Sequence, residues 1–483
     1  MREVIINPIT RLEGHGKITI FLDEMGNVEN AYLQIPELRG FERFCVGRKA
    51  EDMPQITSRI CGVCPVAHHY AGTKALDAAF NVEPPSAAKK LRQLMYCAYI
   101  IYDHTLHFYY LGGPDFIVGP EAPPEKRNIL GVIEKAGLEI GKEVIRNRAY
   151  GQKITEIIGG KATHPVCGLP GGISKSLNEE ERQEIEKMAT SCVEFAKLSL
   201  KLFHDIVLEN EKYVEMIKSN AYTLRTYYMG LVDENNKVNF YDGKVRVADP
   251  NGNEFLKFEP RNYLDHIAER VEEWTYVKAP YLKKVGWKGF VDGTDSGAYR
   301  VGPLGRLNAA DGMATPLAQK EYELMYKTLG RPVHSTLAFH WARLIELLYA
   351  SERAVELCKD PEITSTKVRN LPGKPGEGVG IVEAARGTLI HHYVLDEDAL
   401  IKNVNLIVAT TNNYPSICMS IRDAAKGLIH GNNVNQGLLN KVEMAFRAYD
   451  PCFACASHFA IGQMPFTLEI YNHEKKLLKT VQR

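Results

Sequence analysis

Two short stretches at opposite ends of this chain restrict its fold more than any other feature. Near the N-terminus, Arg59-Ile60-Cys61-Gly62-Val63-Cys64-Pro65-Val66-Ala67-His68 contains one C-x-x-C pair. Near the C-terminus, Asp450-Pro451-Cys452-Phe453-Ala454-Cys455-Ala456-Ser457-His458 contains another. A turn or helix start brings positions i and i+3 to the same side, so each pair can converge on one metal. Two pairs supply four thiolates. Nearly the whole chain lies between Cys64 and Cys452, so a shared site demands a fold that brings the two ends together.

Bulk properties set the outer limits. A chain of 483 residues can bury a large core. Lys+Arg and Asp+Glu balance at 59 each, which gives no electrostatic footprint for nucleic acid. The ten cysteines are scattered, at 45, 61, 64, 97, 167, 192, 358, 418, 452 and 455, and do not form a dense disulfide framework. In a reducing cytosol, C-x-x-C reads as metal-binding or redox-active. Met1-Arg2-Glu3-Val4 opens no apolar signal region. No stretch approaches the roughly 18–20 apolar residues that would span a bilayer. A soluble, cytoplasmic protein without membrane insertion is expected.

Residues 2–35 alternate as strands, with a turn at Asp23-Glu24-Met25-Gly26-Asn27. Asn7-Pro8-Ile9-Thr10-Arg11-Leu12-Glu13-Gly14-His15-Gly16 precedes the hairpin and by itself reads as a polar turn. From about Ser86, Leu91, Leu94, Met95, Ala98, Ile101 and Tyr102 recur at helical steps, on a helix that carries Asp103 and His104. Residues 127–158 read as one further helix, and Ser176 to about Ser219 as one or two. Between them, Gly159-Gly160 and Gly171-Gly172 flank His164-Pro165 in a tight loop that lacks the pattern of a phosphate cradle. Residues 221–300 read as a small, β-rich insertion, and 314–360 as helix. Residues 361–380 read as loop, 387–395 and 403–409 as strands, and about 433–449 as a last helix leading to Cys452.

Four thiolates from two C-x-x-C units suit tetrahedral zinc, an iron–sulfur cluster or a softer catalytic metal centre. Structural zinc is the commonest case. Three features count against it here. The pairs lie at opposite ends of a large chain, each is followed by a histidine (His68 and His458), and Glu13, Glu42, Asp103 and Arg386 supply acid and base groups that a closed structural site does not need.

The motifs jointly resemble the large (catalytic) subunit of [NiFe]-hydrogenases. R-x-C-G-x-C-x-x-x-H and D-P-C-x-x-C-x-x-H carry the resemblance, with R-L-E-G-H at 11–15, R-G-F-E at 39–42, D-H-x-x-H-F-Y at 103–109, the H-P…P-G-G loop at 164–172 and E-A-A-R-G-T-L-I-H-H-Y at 383–393. The fold implied is one mainly helical α+β unit over 1–483: a long-helix bundle with small antiparallel sheets near the N-terminus and around 380–410. The resemblance implies nickel held by all four cysteines. Cys61 and Cys452 would be terminal ligands, and Cys64 and Cys455 would bridge to an iron carrying carbon monoxide and two cyanides. H2 would be cleaved into hydride and proton. Cys455 is expected to accept the proton and pass it to Glu13, with Arg386, between Asp103 and Asp450, as a positioning charge. Arg386 and Thr410 would donate to the cyanides. Glu42 and His458 match a separate site for Mg2+ (or Fe2+).

Two departures stand out. Many members have E-A-P-R-G where this chain has Glu383-Ala384-Ala385-Arg386-Gly387, and residues 459–483 form a C-terminal extension of the kind removed on maturation. No other cysteines form a cluster motif, so the resemblance implies that the electron partner is an iron–sulfur small subunit. Within the family, the chain is most similar to the cytoplasmic, archaeal type that does not reduce coenzyme F420 but reduces methyl viologen. That type works with heterodisulfide reductase and one further electron-transfer subunit. F420-reducing and NAD(P)-linked hydrogenases remain alternatives. A non-catalytic relative like the quinone-site subunit of complex I would lack the cysteines, and a four-cysteine metal scaffold would contain zinc or an iron–sulfur cluster.

Overall fold

A computed structural model describes residues 2–431, 433–458, 467–474 and 476–482. Its centre is a pair of long helices, Ser86–Leu106 and Phe339–Cys358, packed on each other and on Leu138–Gly159 and Glu179–Phe203. The 3.6-residue pattern over 91–102 marks the apolar face of the first. Burial also extends to Tyr96, Tyr99, Asp103 and His104, so this helix is enclosed on almost every side. It starts after Pro84-Pro85 and runs into a wider turn, His107–Gly112, of the kind that often marks a functional position.

Helix ends follow local chemistry. Asn178 caps Glu179–Phe203 by accepting from the Glu181 amide at 2.8 Å, and the Glu181 carboxylate reaches back to the Asn178 amide at 3.1 Å. The single helix expected over 127–158 divides into Ile129–Ala136 and Leu138–Gly159. Gly137 separates them at φ 97°, a conformation closed to most side chains.

The sheets are small. Arg2–Ile6, Lys17–Leu22 and Val28–Gln34 form an antiparallel three-stranded sheet, as the alternation indicates. Within 221–300, Tyr227–Val232, Lys244–Ala248 and Glu254–Phe258 form an antiparallel meander. Tyr299–Arg300 joins its first strand in parallel, so this sheet is not purely antiparallel. The third sheet is Glu377–Ala384, Gly387–Leu395 and Ile401–Ile407.

That third sheet corrects the reading of 361–380 as loop throughout. Gly376, Gly378 and Gly380 resemble loop composition, yet Gly378 and Gly380 lie in the first half of a strand against helix Pro65–Ala79. A Cβ on Gly378 would strike the Ala75 carbonyl, and one on Gly380 the Ala71 carbonyl, so these glycines admit close backbone approach. The second correction is helix Ala409–Leu428, for which the sequence pattern indicates no element. Its threonines, asparagines and internal Pro415 conceal a helical pattern, and burial on nearly every face overrides their low propensity. The final helix is Gln436–Arg447. Of the C-terminal extension, Thr467–Tyr471 and Leu477–Gln482 pair antiparallel, while 459–466 lie outside the described residues.

Gly380→Val tests the strand–helix contact. The side chain would meet backbone on helix Pro65–Ala79, which cannot swing away, so unfolding stability should fall by about 1–3 kcal/mol. The midpoint of a urea transition at unchanged slope measures it.

Candidate metal centre

The fold brings the two cysteine stretches together in the interior. The Sγ atoms of Cys61, Cys64, Cys452 and Cys455 all lie within 4.8 Å of one another, and all four residues are buried. Cys61 and Cys452 are 3.5 Å apart and Cys64 and Cys455 3.6 Å, so each residue of one pair faces its counterpart in the other. The Cys452 and Cys455 sulfurs are in disulfide contact. Ligation by all four requires that pair as thiolates.

Local backbone explains each position. Cys64 is the N-cap of helix Pro65–Ala79, whose proline at N1 is pre-set for a helix start. The Cys61 sulfur accepts from the amides of Val63 at 3.2 Å and Cys64 at 3.4 Å, which favours thiolate. The hydrogen bond between Cys61 and Cys64 lowers the Cys61 pKa, and that bond together with burial raises that of Cys64 well above the usual thiol range.

Residues 11–16 form the other wall. Glu13 bridges Cys452 as a parallel backbone pair, and its carbonyl accepts from the Phe453 amide at 2.9 Å. Gly14, at φ 89°, and Gly16 abut Phe453 and Ala454 where any Cβ would be tight. Arg11 anchors the segment through the Leu111 carbonyl at 2.9 Å and Asp115 at 2.5 Å. The glycine-flanked polar turn therefore seats Glu13 against the sulfurs. Its Oε2 lies 2.8 Å from the Cys452 sulfur and accepts from the Ala454 amide at 3.2 Å. The sulfur that faces Glu13 is that of Cys452 rather than that of Cys455, because the backbone bridge aligns residue 13 with residue 452. Burial raises the Glu13 pKa, against the opposing pull of Arg386.

Arg386 closes a third side. Its Nη1 and Nη2 donate to the two Asp103 oxygens at 3.0 and 3.1 Å, and Nη2 is 3.0 Å from Asp450. Burial disfavours the guanidinium charge, but Asp103 and then Asp450 outweigh it and hold Arg386 charged. The Asp450 carboxyl is pushed up to about 7 by burial, against Arg386. Asp450 adopts φ 57°, an uncommon conformation for a residue with a side chain. Thr410, at the start of helix Ala409–Leu428, accepts from the Cys452 amide at 3.0 Å and keeps its own proton to donate.

Glu42 and His458 lie nearby. The Glu42 amide reaches the His458 carbonyl at 3.5 Å. The Glu42 carboxylate accepts from the Leu406 amide at 2.9 Å and lies 3.7 Å from the Lys278 ammonium. His458 is buried against Phe41 and His68, and neither ring nitrogen has a hydrogen-bond partner among the described residues. Neither His68 nor His458 belongs to the four-sulfur group. His68 pairs instead with His391 at 3.2 Å, which bonds the Tyr393 hydroxyl at 2.6 Å.

Three contributors are not singled out by the sequence pattern. Arg39 joins the two cysteine loops: its guanidinium donates to the Ile60 carbonyl and to the Ala454 carbonyl at 3.4 Å, and its amide to the Ser457 carbonyl at 3.1 Å. The R-G-F-E motif contained that signal. Arg343 lies behind Asp450 and donates to the Ala448 carbonyl at 2.9 Å, with burial lowering its pKa to about 10. A lone arginine inside a helical pattern gives no such hint. His69 ties the 164–172 loop to the centre: its Nδ1 bonds the Pro54 carbonyl at 3.0 Å and its Nε2 accepts from the Gly168 amide at 2.8 Å.

His69 gives a pH prediction. Burial lowers its pKa to about 4 from the unfolded 6.5, so the unfolded chain binds the extra proton between these values. Its contribution is present above pH 6.5 and is lost as pH falls towards 4, by about 3 kcal/mol in all. Protonation removes the acceptor for Gly168 N–H. A melting-temperature series from about pH 7 to 4 should fall more steeply in the native protein than in His69→Gln.

Comparison with known proteins agrees with this geometry. Residues 39–123 and 215–458 match the family described as nickel-dependent hydrogenase. The chain is 50% identical to the iron-sulfur subunit of the F420-non-reducing hydrogenase of Archaeoglobus profundus, with 100% of both chains covered. It is 48% identical to the vhu F420-non-reducing hydrogenase subunit of Methanocaldococcus jannaschii, over 88% of this chain and 99% of that one. Among solved structures, an NAD+-reducing [NiFe]-hydrogenase in the H2-reduced state superposes with a TM-score of 0.89 at 38% identity, covering 95% of this chain and 100% of that one. With four cysteines gathered from both ends of a helical bundle, and with a relative 50% identical over the full length, the chain belongs to the nickel-dependent hydrogenases, in their large-subunit family, and is an oxidoreductase.

Proposed function

We propose that this chain is the catalytic subunit of a [NiFe]-hydrogenase of the F420-non-reducing type, cleaving H2 reversibly and heterolytically. The observation that carries the reading is the buried cluster of four cysteine sulfurs within 4.8 Å, contributed by both chain ends. An all-thiolate donor set is soft and electron-rich, which suits nickel in more than one redox state. Cys61 and Cys452 would hold nickel alone, and Cys64 and Cys455 would share it with iron; all four sulfurs lie close enough together for such a centre. When bound, the nickel–iron pair supplies the redox chemistry and the electrophile for H2. The Arg386 guanidinium and the Thr410 hydroxyl offer donors for one carbon monoxide and two cyanide ligands on iron.

The chain's own residues handle the proton. Cys452 accepts it and Glu13, 2.8 Å away, carries it onward. The raised pKa of Glu13 brings it nearer to that of its donor, which suits a relay. Arg386 stays protonated between two carboxylates, so it orients and polarises rather than acting as base.

Electrons would leave through an iron–sulfur small subunit, then through one more electron-transfer protein to heterodisulfide reductase. The relatives at 50% and 48% identity are named as F420-non-reducing hydrogenase subunits, which supports the F420-non-reducing type. The 0.89 match to an NAD+-reducing enzyme favours an NAD(P)-linked acceptor as the second reading. None of the helices among the described residues is long and apolar enough to cross a membrane, and we place the complex in the cytoplasm. Glu42 and His458 would hold Mg2+ or Fe2+; the unpartnered, buried His458 ring supports this. Removal of 459–483 would then follow metal insertion.

Infrared spectra of the anaerobically purified complex, with nickel and iron content, test the reading. Bands of metal-bound carbonyl and cyanide with nickel present are expected. Zinc alone in a chain ending at His458 would refute it. Glu13→Gln should retain nickel and those bands while lowering kcat by about 100-fold or more, since an amide cannot take the proton.

A further inference from the structure

We propose that Tyr99 is a positioning residue for Arg386, acting through the peptide N–H of Ala385. The inference rests on the hydrogenase reading of the site. Ala385 and Arg386 form the two-residue turn between strands Glu377–Ala384 and Gly387–Leu395, whose register pairs Ala384 with Gly387. So short a turn sets the aim of the Arg386 side chain. Helix Ser86–Leu106 holds it at two points one helical turn apart. Asp103 takes the guanidinium with two hydrogen bonds at 3.0 and 3.1 Å. Tyr99, four residues earlier on the same face, accepts from the Ala385 amide at 2.9 Å.

The rest of the turn is fixed from the other side. The Arg386 carbonyl accepts from Asn413 Nδ2 at 3.1 Å. Gly387, at φ 140°, fits against Val301 and Gly302, where a Cβ would collide. The Tyr99 ring is buried between Tyr96 and Tyr102, with centroids at 5.4 and 5.6 Å, so its hydroxyl has little freedom to follow a displaced turn. The departure from E-A-P-R-G gains a physical meaning. Proline at 385 has no N–H, and only a residue such as Ala385 can engage the Tyr99 hydroxyl. This chain secures by a hydrogen bond the turn that a proline ring would stiffen.

Tyr99→Phe keeps the ring and removes the acceptor, leaving the Ala385 N–H buried and unpaired. The turn should shift to relieve it. Adding Ala385→Pro removes that N–H as well, and proline suits the first position of a turn. In the purified complex, Tyr99→Phe should lower kcat by about tenfold with KM little changed. It should also displace the cyanide infrared bands as the Arg386 charge moves relative to them. The double variant Tyr99→Phe/Ala385→Pro should return both readouts towards the native values. A hydroxyl that merely satisfied a buried amide would leave the bands unmoved. Native bands and native kcat in Tyr99→Phe, or displaced bands that proline does not restore, would overturn the proposal. Absence of nickel and of these bands in the native complex would overturn the reading of the centre, and the proposal with it.

Discussion

One buried guanidinium decides much of this structure. Arg386 is 3% exposed, and its carboxylate partners Asp103 and Asp450 are almost wholly enclosed. Charges taken out of water need near-complete sets of partners, and losing one leaves an uncompensated charge in the interior. Here those partners come from distant segments: Asp103 from a central helix, Asp450 from the approach to the second cysteine pair. A second buried network lies behind. Arg306 is gripped by Glu346 through two bonds of 2.6 Å and by Glu383 at 2.8 Å, while His104 reaches Glu346 at 2.9 Å. Asp103 and His104 are neighbours on one helix, and Glu383 and Arg386 belong to one hairpin. The two networks therefore lock the same elements together.

The sulfur cluster depends equally on how the chain ends meet. Glu13 and Cys452 are paired through backbone, and Arg39 ties carbonyls of both cysteine loops. These contacts place an acid against one particular thiol and leave the opposite side to Arg386. Donors and acceptors are thus fixed in advance around the four buried cysteines. Electrostatic preorganisation of that kind is effective because dipoles and charges in a dry site need no reorientation when reaction occurs.

Much of the fold was legible from amino-acid pattern. The helix at Ser86, the capped helix after Asn178 and the N-terminal sheet follow from periodicity and cap chemistry. The unread elements share a cause: tertiary contact reversed a local preference. Gly376-Glu377-Gly378-Val379-Gly380 has loop composition, but Gly378 and Gly380 let a strand lie on the backbone of Pro65–Ala79. Ala409–Leu428 carries threonine, asparagine and proline, and is helical because almost everything around it is packed. In the site, Glu13 was recognisable within its motif, but its neighbour was not. Only the backbone bridge chooses Cys452 over Cys455.

By itself the sequence determined the inventory: two cysteine pairs, a glycine-flanked glutamate, and an arginine preceded by alanine, in motifs specific enough to imply a hydrogenase large subunit. Residue type and short spacing establish such facts, because metal softness, turn geometry and helix periodicity act over a few positions. Tertiary structure decided the assignments: which thiol meets which acid, which carboxylates hold Arg386, and that Tyr99 reaches the Ala385 amide. Those contacts span tens to hundreds of positions, and each depends on distances of a few tenths of an ångström set by packing of the whole chain.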